Sequence, residues 1–357
     1  MSPGERFYRG SRWIRSRNHP YQGICRAKSG ADDRSRITIL DALLTGTPKN
    51  GANGVRVNGV SPGLLGCIAV DTGRKHIRIR KEANVNTSIE THYSDTGDLT
   101  AAIKDRLNAA GKSIEQLKST DLAGVDEFHI RGREATLELG ERMRLTPDSR
   151  VLDIGSGLGG PARTLAQSYG CQVTGIDLTQ DFCEAATAIS MWLGLIDRVL
   201  FVHGDATDPP FEPSSFDAAM TIHAAMNIPA KDALYASAKR VLKSGSIFAV
   251  YDVLQGEGGE VVFPVPWARD PSISHLATPE EMRRLLTGAG FDILEELDSS
   301  PASLAWFEQM ISRMEQSEPP PVSFDTFLGE DFPQMARNQL RNLSDERIRT
   351  VTFICQS

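Results

Sequence analysis

The chain has 357 residues, 40% hydrophobic and 24% charged, with 39 Lys and Arg against 46 Asp and Glu and a net charge of −7. That is ordinary globular composition for one large domain or two. The acidic balance argues against a nucleic-acid partner, and no apolar run approaches the roughly 18 residues of a membrane-spanning helix.

Residues 1–84 hold 16 Lys and Arg but only 6 Asp and Glu, opposite in sign to the rest, and are rich in Gly, Ser and Asn. No helical or strand period runs through them, so they read as a basic, disordered extension. Three origins fit: an Arg-rich targeting peptide, a basic arm for an acidic partner, or upstream sequence ahead of a true start near Val85. The third is the working expectation, because patterned sequence begins at "SIETHYSDTGDL".

From there the elements come in order. "DLTAAIKDRLNAAG" reads as a helix capped by Asp98, with Ile103 and Leu107 on one face and Gly111 ending it. "GREATLELGERMRL" reads as a second helix with Ala135, Leu137 and Leu139 on its apolar side. These two form a helical lid over 85–148. Strands and helices then alternate: "RVLDIG", "GPARTLAQSYG", "CQVTGID", "TQDFCEAATAISMWLG", "RVLFVHGD", "FDAAMTIH", "AKDALYASAKRVLKSG", "SIFAVYD" and "TPEEMRRLLTGAG". The last of these opens with a capping box, Thr278 and Glu281. Two further strands, "FDILEEL" and "IRTVTFICQ", end the chain. The alternation predicts an α/β, Rossmann-like, doubly wound sheet over 149–357. Ligands of such sheets bind outside the C-terminal strand ends. Extra material at about 299–345, including "ASLAWFEQMISRMEQ", is expected to cap that edge.

The stretch "VLDIGSGLGG" places Gly155, Ser156, Gly157 and Gly159 between a strand and a helix, where backbone can approach a ligand closely. The usual tenant is a dinucleotide phosphate on the helix N-terminus, and Asp153 would repel it. The next strand ends in Asp177, 22 positions after Gly155, as expected for a ribose partner. The third is followed by Asp205. Three carboxylates at one edge fit a ligand with an adenosine, no phosphate and positive charge, which describes S-adenosylmethionine. Taken singly, Asp153 could cap a turn and Asp205 could start a loop.

In order and spacing, "VLDIGSGLGG", "VTGIDLT", "GDATDPPFEPSSFD" and "RVLKSGSIFAVYD" resemble the motifs of class I S-adenosylmethionine-dependent methyltransferases. The resemblance covers about residues 90–357. It is strongest to bacterial small-molecule enzymes of the sarcosine/dimethylglycine, ubiquinone-biosynthesis and sugar O-methyltransferase kind. It implies seven strands with the last antiparallel. It also implies that Gly155 and Gly157 pass under the methionine part and that Asp177 binds the ribose hydroxyls. Asp205 and Ala206 would meet the adenine edge, Leu178 would pack on the adenine, and Thr221 or Ile222 would line the sulfonium side.

A nucleophile that must lose a proton needs a base, and His223 and Asp252 end the fourth and fifth strands. Related enzymes carry His-His-Met-Pro after the fourth strand. Here Met226 and Asn227 take the histidine positions, so Asn227 joins the candidate catalytic set although an amide is no base. His129, Arg131 and Trp267 are candidate pocket residues: Arg131 for a carboxylate, Trp267, with Trp306 and Phe307, as an aromatic wall. His203 reads as structural, and His92 and Tyr93 as either a closing lid or surface.

The expected function is methyl transfer to N, O or C of a small molecule, with oligomeric state left open. The alternatives are a nicotinamide-dinucleotide oxidoreductase and a non-catalytic cofactor-binding regulator. The five cysteines, Cys25, Cys67, Cys171, Cys183 and Cys355, form no CxxC and no Cys/His cluster. Neither disulfides nor a metal site is expected, and a reducing cytoplasm is.

Overall fold

The computed structural model describes residues 92–93, 98–316, 320 and 322–357. The basic segment 1–84 and the start expected near Val85 lie outside the described residues.

Helix α1 (Leu99–Ala109) is capped as its sequence predicts: the Asp98 carboxylate accepts from Ala101 N at 2.9 Å, and Ile103 and Leu107 are buried. Helix α2 (Gly132–Arg142) buries Ala135, Thr136, Leu139 and Gly140; Leu137, expected on that face, is only half-buried.

Seven strands then form one sheet: β1 (Arg150–Ile154), β2 (Gln172–Asp177), β3 (Val199–His203), β4 (Phe216–Ile222), β5 (Leu242–Gln255), β6 (Asp292–Asp298) and β7 (Ile348–Gln356). The order is β3-β2-β1-β4-β5-β7-β6, with β7 antiparallel to both neighbours. Helices α3 (Gly160–Tyr169), α4 (Gln180–Trp192), α5 (Lys231–Val241) and α6 (Pro279–Gly288) flank it. The central strands are apolar because both faces are covered. Pro161 sits in the first turn of α3, where the missing N–H costs nothing, and Thr278 and Glu281 form the reciprocal capping box of α6.

Two boundaries differ from expectation. The helix expected to run to Gly245 stops at Val241, because β5 begins at Leu242, opposite Phe216. At its other end β5 runs three residues past Asp252, held by antiparallel pairing from Asp252↔Val351 to Gln255↔Ile348.

The register lines up the parallel strand ends: Ile154 faces Ile176 and Thr221, Asp177 faces His203, and Ile222 faces Tyr251. The order reverses between β1 and β4, the place where doubly wound sheets bind ligands. Beyond β6 come α7 (Ser300–Gln316), α8 (Asp325–Leu328) and α9 (Phe332–Ser344). Phe307, Phe327, Phe332 and Met335 from these helices share one apolar cluster with Tyr93, Leu107, Leu158, Phe182, Met226 and Trp267. That cluster joins the α7–α9 segment to the loops at the strand ends.

Candidate active site

The strand β1 carries Asp153 into the protein with 1% of its surface exposed. Its Oδ2 has no hydrogen-bond partner among the described residues. Burial, then the charges of Asp177 and Glu127, push its carboxyl up to about 8, against the pull of Arg163. The loop that follows turns on Gly155, Gly157 and Gly159, with φ of 73°, 51° and 77°. A side-chain carbon on Gly155 would overlap Ala224, while one on Gly157 would meet nothing within 4 Å. The loop therefore abuts the segment after β4 and leaves open space above Gly157.

Asp177 fixes this loop from the neighbouring strand. Its Oδ2 accepts from Gly157 N at 2.8 Å and its Oδ1 from Thr179 N at 2.9 Å. Each oxygen keeps a lone pair for a further donor such as a ribose hydroxyl. Burial raises this carboxyl too, against both backbone bonds. Ser156 Oγ and Thr221 Oγ1 are buried without partners, as is His223 Nε2. Buried polar atoms are nearly always paired. Four orphans on β1, β4 and the residues just beyond them mark a cradle for a polar ligand.

Asp205 stands apart from this cluster. It is exposed, and its Oδ1 accepts from both the N–H and the hydroxyl of Thr207 at 2.8 and 2.7 Å, an Asx turn. Ala206 beside it is half-buried against the Phe216 cluster. Leu178 packs on the cluster containing Tyr93 and Phe182, and its carbonyl bonds His203 Nε2 at 2.8 Å, so His203 supports the Asp177 turn.

After β4 the chain makes a tight turn. His223 has φ of 47°, rare for a residue with a side chain. Its N–H bonds the Tyr251 carbonyl at 2.8 Å, and its ring lies 4.7 Å from that of Tyr251. Burial, then the neighbouring His129, hold its imidazole well below the ordinary value.

The pleat of β5 separates the two candidate bases, Asp252 and His223. Asp252 shares a face with Val250 and Leu254, which pack with Leu234 and Tyr235 of α5, whereas Tyr251 packs on the opposite side. Asp252 Oδ1 accepts from the Val253 N–H at 2.9 Å, its Oδ2 is buried without a partner among the described residues, and burial lifts its carboxyl to about 7. Lys231 holds the Ala225–Asn227 turn: its Nζ donates to the carbonyls of Ala225 and Ile228 at 2.6 and 2.7 Å.

Asn227, counted with the catalytic candidates, is structural. Its Nδ2 donates to the carbonyls of Trp267 and Ile273, both at 2.8 Å, and its Oδ1 accepts from the Tyr93 hydroxyl at 3.4 Å. Tyr93 and His92 are thus not surface residues: both are buried, and His92 Nε2 donates to the Pro266 carbonyl at 3.1 Å. Arg131 is likewise unavailable to a substrate carboxylate, because Glu134 and Glu138 both bind its guanidinium.

Sequence reasoning passed over Asp126, Glu127 and Arg163. Arg163, 1% exposed, pairs with Asp126 and donates to the Leu158 carbonyl at 2.6 Å, tying the glycine loop to the segment before α2. The signal was present: an arginine inside "GPARTLA", a helix otherwise made of small and apolar residues.

A cavity of about 40 Å³ opens at this turn. Its walls are Phe128, Ile130, Met226, Trp267, Trp306 and Phe307, closed by Phe324 and Phe332 from the α7–α9 segment. His129, His223 and Gln339 are its polar side chains, and among the described residues no Asp, Glu, Lys or Arg lines it. The sequence assigned His129, Trp267, Trp306 and Phe307 to one pocket, and the structure brings them together there.

The sheet order and this cradle are those that the resemblance to class I S-adenosylmethionine-dependent methyltransferases implies. Residues 152–250 match the family described as "Methyltransferase domain". The chain is 31% identical over 179 residues to a sterol 24-C-methyltransferase of Yarrowia lipolytica, covering 47% of this chain and 46% of that protein. It is 31% identical over 189 residues to 24-methylenesterol C-methyltransferase 2 of Oryza sativa subsp. japonica, covering 50% and 52%. The chain spans about half the length of these curated relatives. A solved geranyl diphosphate C-methyltransferase from Streptomyces coelicolor A3(2) superposes with a TM-score of 0.56 over 77% of this chain and 98% of that one, at 14% identity. At that identity the likeness is one of fold.

Proposed function

We propose that the protein transfers a methyl group from S-adenosylmethionine to an uncharged, largely apolar small molecule. The observation that carries this reading is the contact of two sites. The glycine loop with its unpartnered polar atoms lies against Ala224, and the adjoining His223 and Met226 line the aromatic cavity. The sulfonium supplies an activated methyl group when bound. This chain's own residues bind and orient: Asp177 and the loop hold the cofactor, Asp153 is a buried carboxyl that a bound positive charge would hold in its ionised form, and the cavity fixes the acceptor. Positioning alone can lower such a barrier by roughly 7–11 kcal/mol in ideal geometry.

The sterol C-methyltransferases among the relatives support an apolar acceptor of that kind. A dinucleotide oxidoreductase fits less well, because a pyrophosphate would push the Asp153 and Asp177 carboxyls further up, whereas a cationic cofactor would relieve them. A reducing, cytoplasmic setting is part of the proposal, resting on the free, buried Cys171, Cys183 and Cys355.

Calorimetry on the full chain tests the cofactor: S-adenosylmethionine should bind and NAD should not. Formation of S-adenosylhomocysteine with a panel of sterols, terpenoids and phenols tests transfer. Binding of NAD alone would overturn the reading, and cofactor binding without turnover on any member would favour a regulatory protein.

A further inference from the structure

Apart from Gln339, the cavity is apolar except where His129 and His223 meet, with ring centroids 6.1 Å apart and planes 78° apart. The tautomer of His129 follows from its partner. Its Nε2 lies 2.9 Å from the Gly132 carbonyl, which can only accept, so Nε2 carries the hydrogen. Thr136 Oγ1, 3.2 Å from the same nitrogen, gives its own hydrogen to Glu127. His129 Nδ1 is therefore a bare acceptor, with no partner among the described residues. His223 Nε2 is buried without a partner. Its backbone is held at positive φ by the bond to Tyr251, an unfavourable conformation that fixes the ring at the cavity.

Burial keeps both imidazoles neutral at pH 7, His129 down to about 4. An acceptor-only nitrogen beside one able to donate matches a group that both donates and accepts. A hydroxyl is such a group. A carboxylate would leave His129 Nδ1 unmet, and with the His223 hydrogen on Nε2 an ammonium would leave that hydrogen unmet.

Building on the proposed methyl transfer to an apolar acceptor, we infer that His129 and His223 together bind one hydroxyl of that acceptor. His129 Nδ1 takes the hydroxyl hydrogen and His223 Nε2 donates to its oxygen. The two imidazoles thereby select an uncharged, mono-hydroxylated apolar molecule over its deoxy, carboxylate and amine analogues.

The test uses the full-length protein saturated with S-adenosylhomocysteine and three probes of one shape: 2-naphthol, naphthalene and 2-naphthoate. Naphthol should bind at least tenfold more tightly than either of the others. His223→Asn, which tolerates positive φ, and His129→Leu should each bring naphthol down to the level of naphthalene, with naphthalene affinity changed less than threefold. Melting curves and S-adenosylhomocysteine affinity show whether each variant is folded. If His129→Leu does not fold, His223→Asn carries the test. Equal binding of naphthol and naphthalene, no binding of any probe, preference for naphthoate, or discrimination surviving in a folded variant would overturn the inference. Failure to bind S-adenosylhomocysteine would instead overturn the proposed function, so the two failures are distinguishable.

Discussion

The hydroxyl of Tyr93 donates to the side-chain carbonyl of Asn227 at 3.4 Å across 134 positions of sequence. The same amide holds the carbonyls of Trp267 and Ile273. One side chain thus ties the segment before α1, the turn after β4 and the aromatic wall of the cavity. Asn227→Ala should leave two buried carbonyls unpaired, at about 1–3 kcal/mol each before relaxation. The variant should melt earlier and lose acceptor affinity, while S-adenosylhomocysteine affinity stays within about threefold, roughly 0.65 kcal/mol. An unchanged melting curve would show that water or a rearranged loop satisfies those carbonyls.

Asp177 acts on the cofactor in two ways: it shapes the loop through Gly157 N, and it keeps lone pairs for ribose hydroxyls. Loss of charge-assisted bonds amounts to roughly 1.5–3 kcal/mol. Asp177→Ala should therefore weaken S-adenosylmethionine binding roughly 10- to 150-fold in titration calorimetry. Unaltered affinity would remove Asp177 from the cofactor site.

The fold was legible in sequence wherever local chemistry decides. Asp98 and the Thr278–Glu281 box mark helix starts because their partners lie three residues away. The glycine loop and Asp177 were legible because a strand–helix–strand unit sets their spacing. Asn227, Arg131 and Asp252 misled for a different reason. Asn227 and Asp252 take their roles from partners outside any local pattern: Asn227 bonds carbonyls 40 and 46 positions away, and Asp252 is set by the pleat of a strand extended by β7. Arg131's partners are near in sequence, Glu134 and Glu138, but become neighbours only once α2 forms and Arg131 adopts φ of 67°.

Asp153 makes stability depend on pH. Its carboxyl titrates at the ordinary 3.8 when free and at about 8 in the fold. Between those values the folded chain keeps a proton that the unfolded chain has lost, so this contribution is full below the lower value and disappears as pH rises through the upper one. The slope is at most about 1.4 kcal/mol per pH unit for one proton. Asp252, raised to about 7, acts in the same direction. Asp153→Asn should flatten the curve of melting temperature against pH between roughly pH 5 and 8 without abolishing it. An identical slope would mean that Asp153 is already ionised in the folded protein.

The pair Asp126–Arg163 separates stability from cofactor binding. Burial pushes the Asp126 carboxyl up even with Arg163 against it, so the pair gains little from its own attraction. Removing one partner should still be severe, because the other charge stays buried: Arg163→Met should cost about 3–5 kcal/mol in urea unfolding. Adding Asp126→Asn should recover at least half of that loss. Cofactor affinity should behave differently, since Arg163 also donates to the Leu158 carbonyl in the glycine loop and the second substitution restores no donor there. S-adenosylhomocysteine should therefore bind the single and the double variant with similar, reduced affinity. A double variant no more stable than Arg163→Met would show that Arg163 acts through its bonds to Leu158, Ala186 and Ser190 rather than by neutralising Asp126.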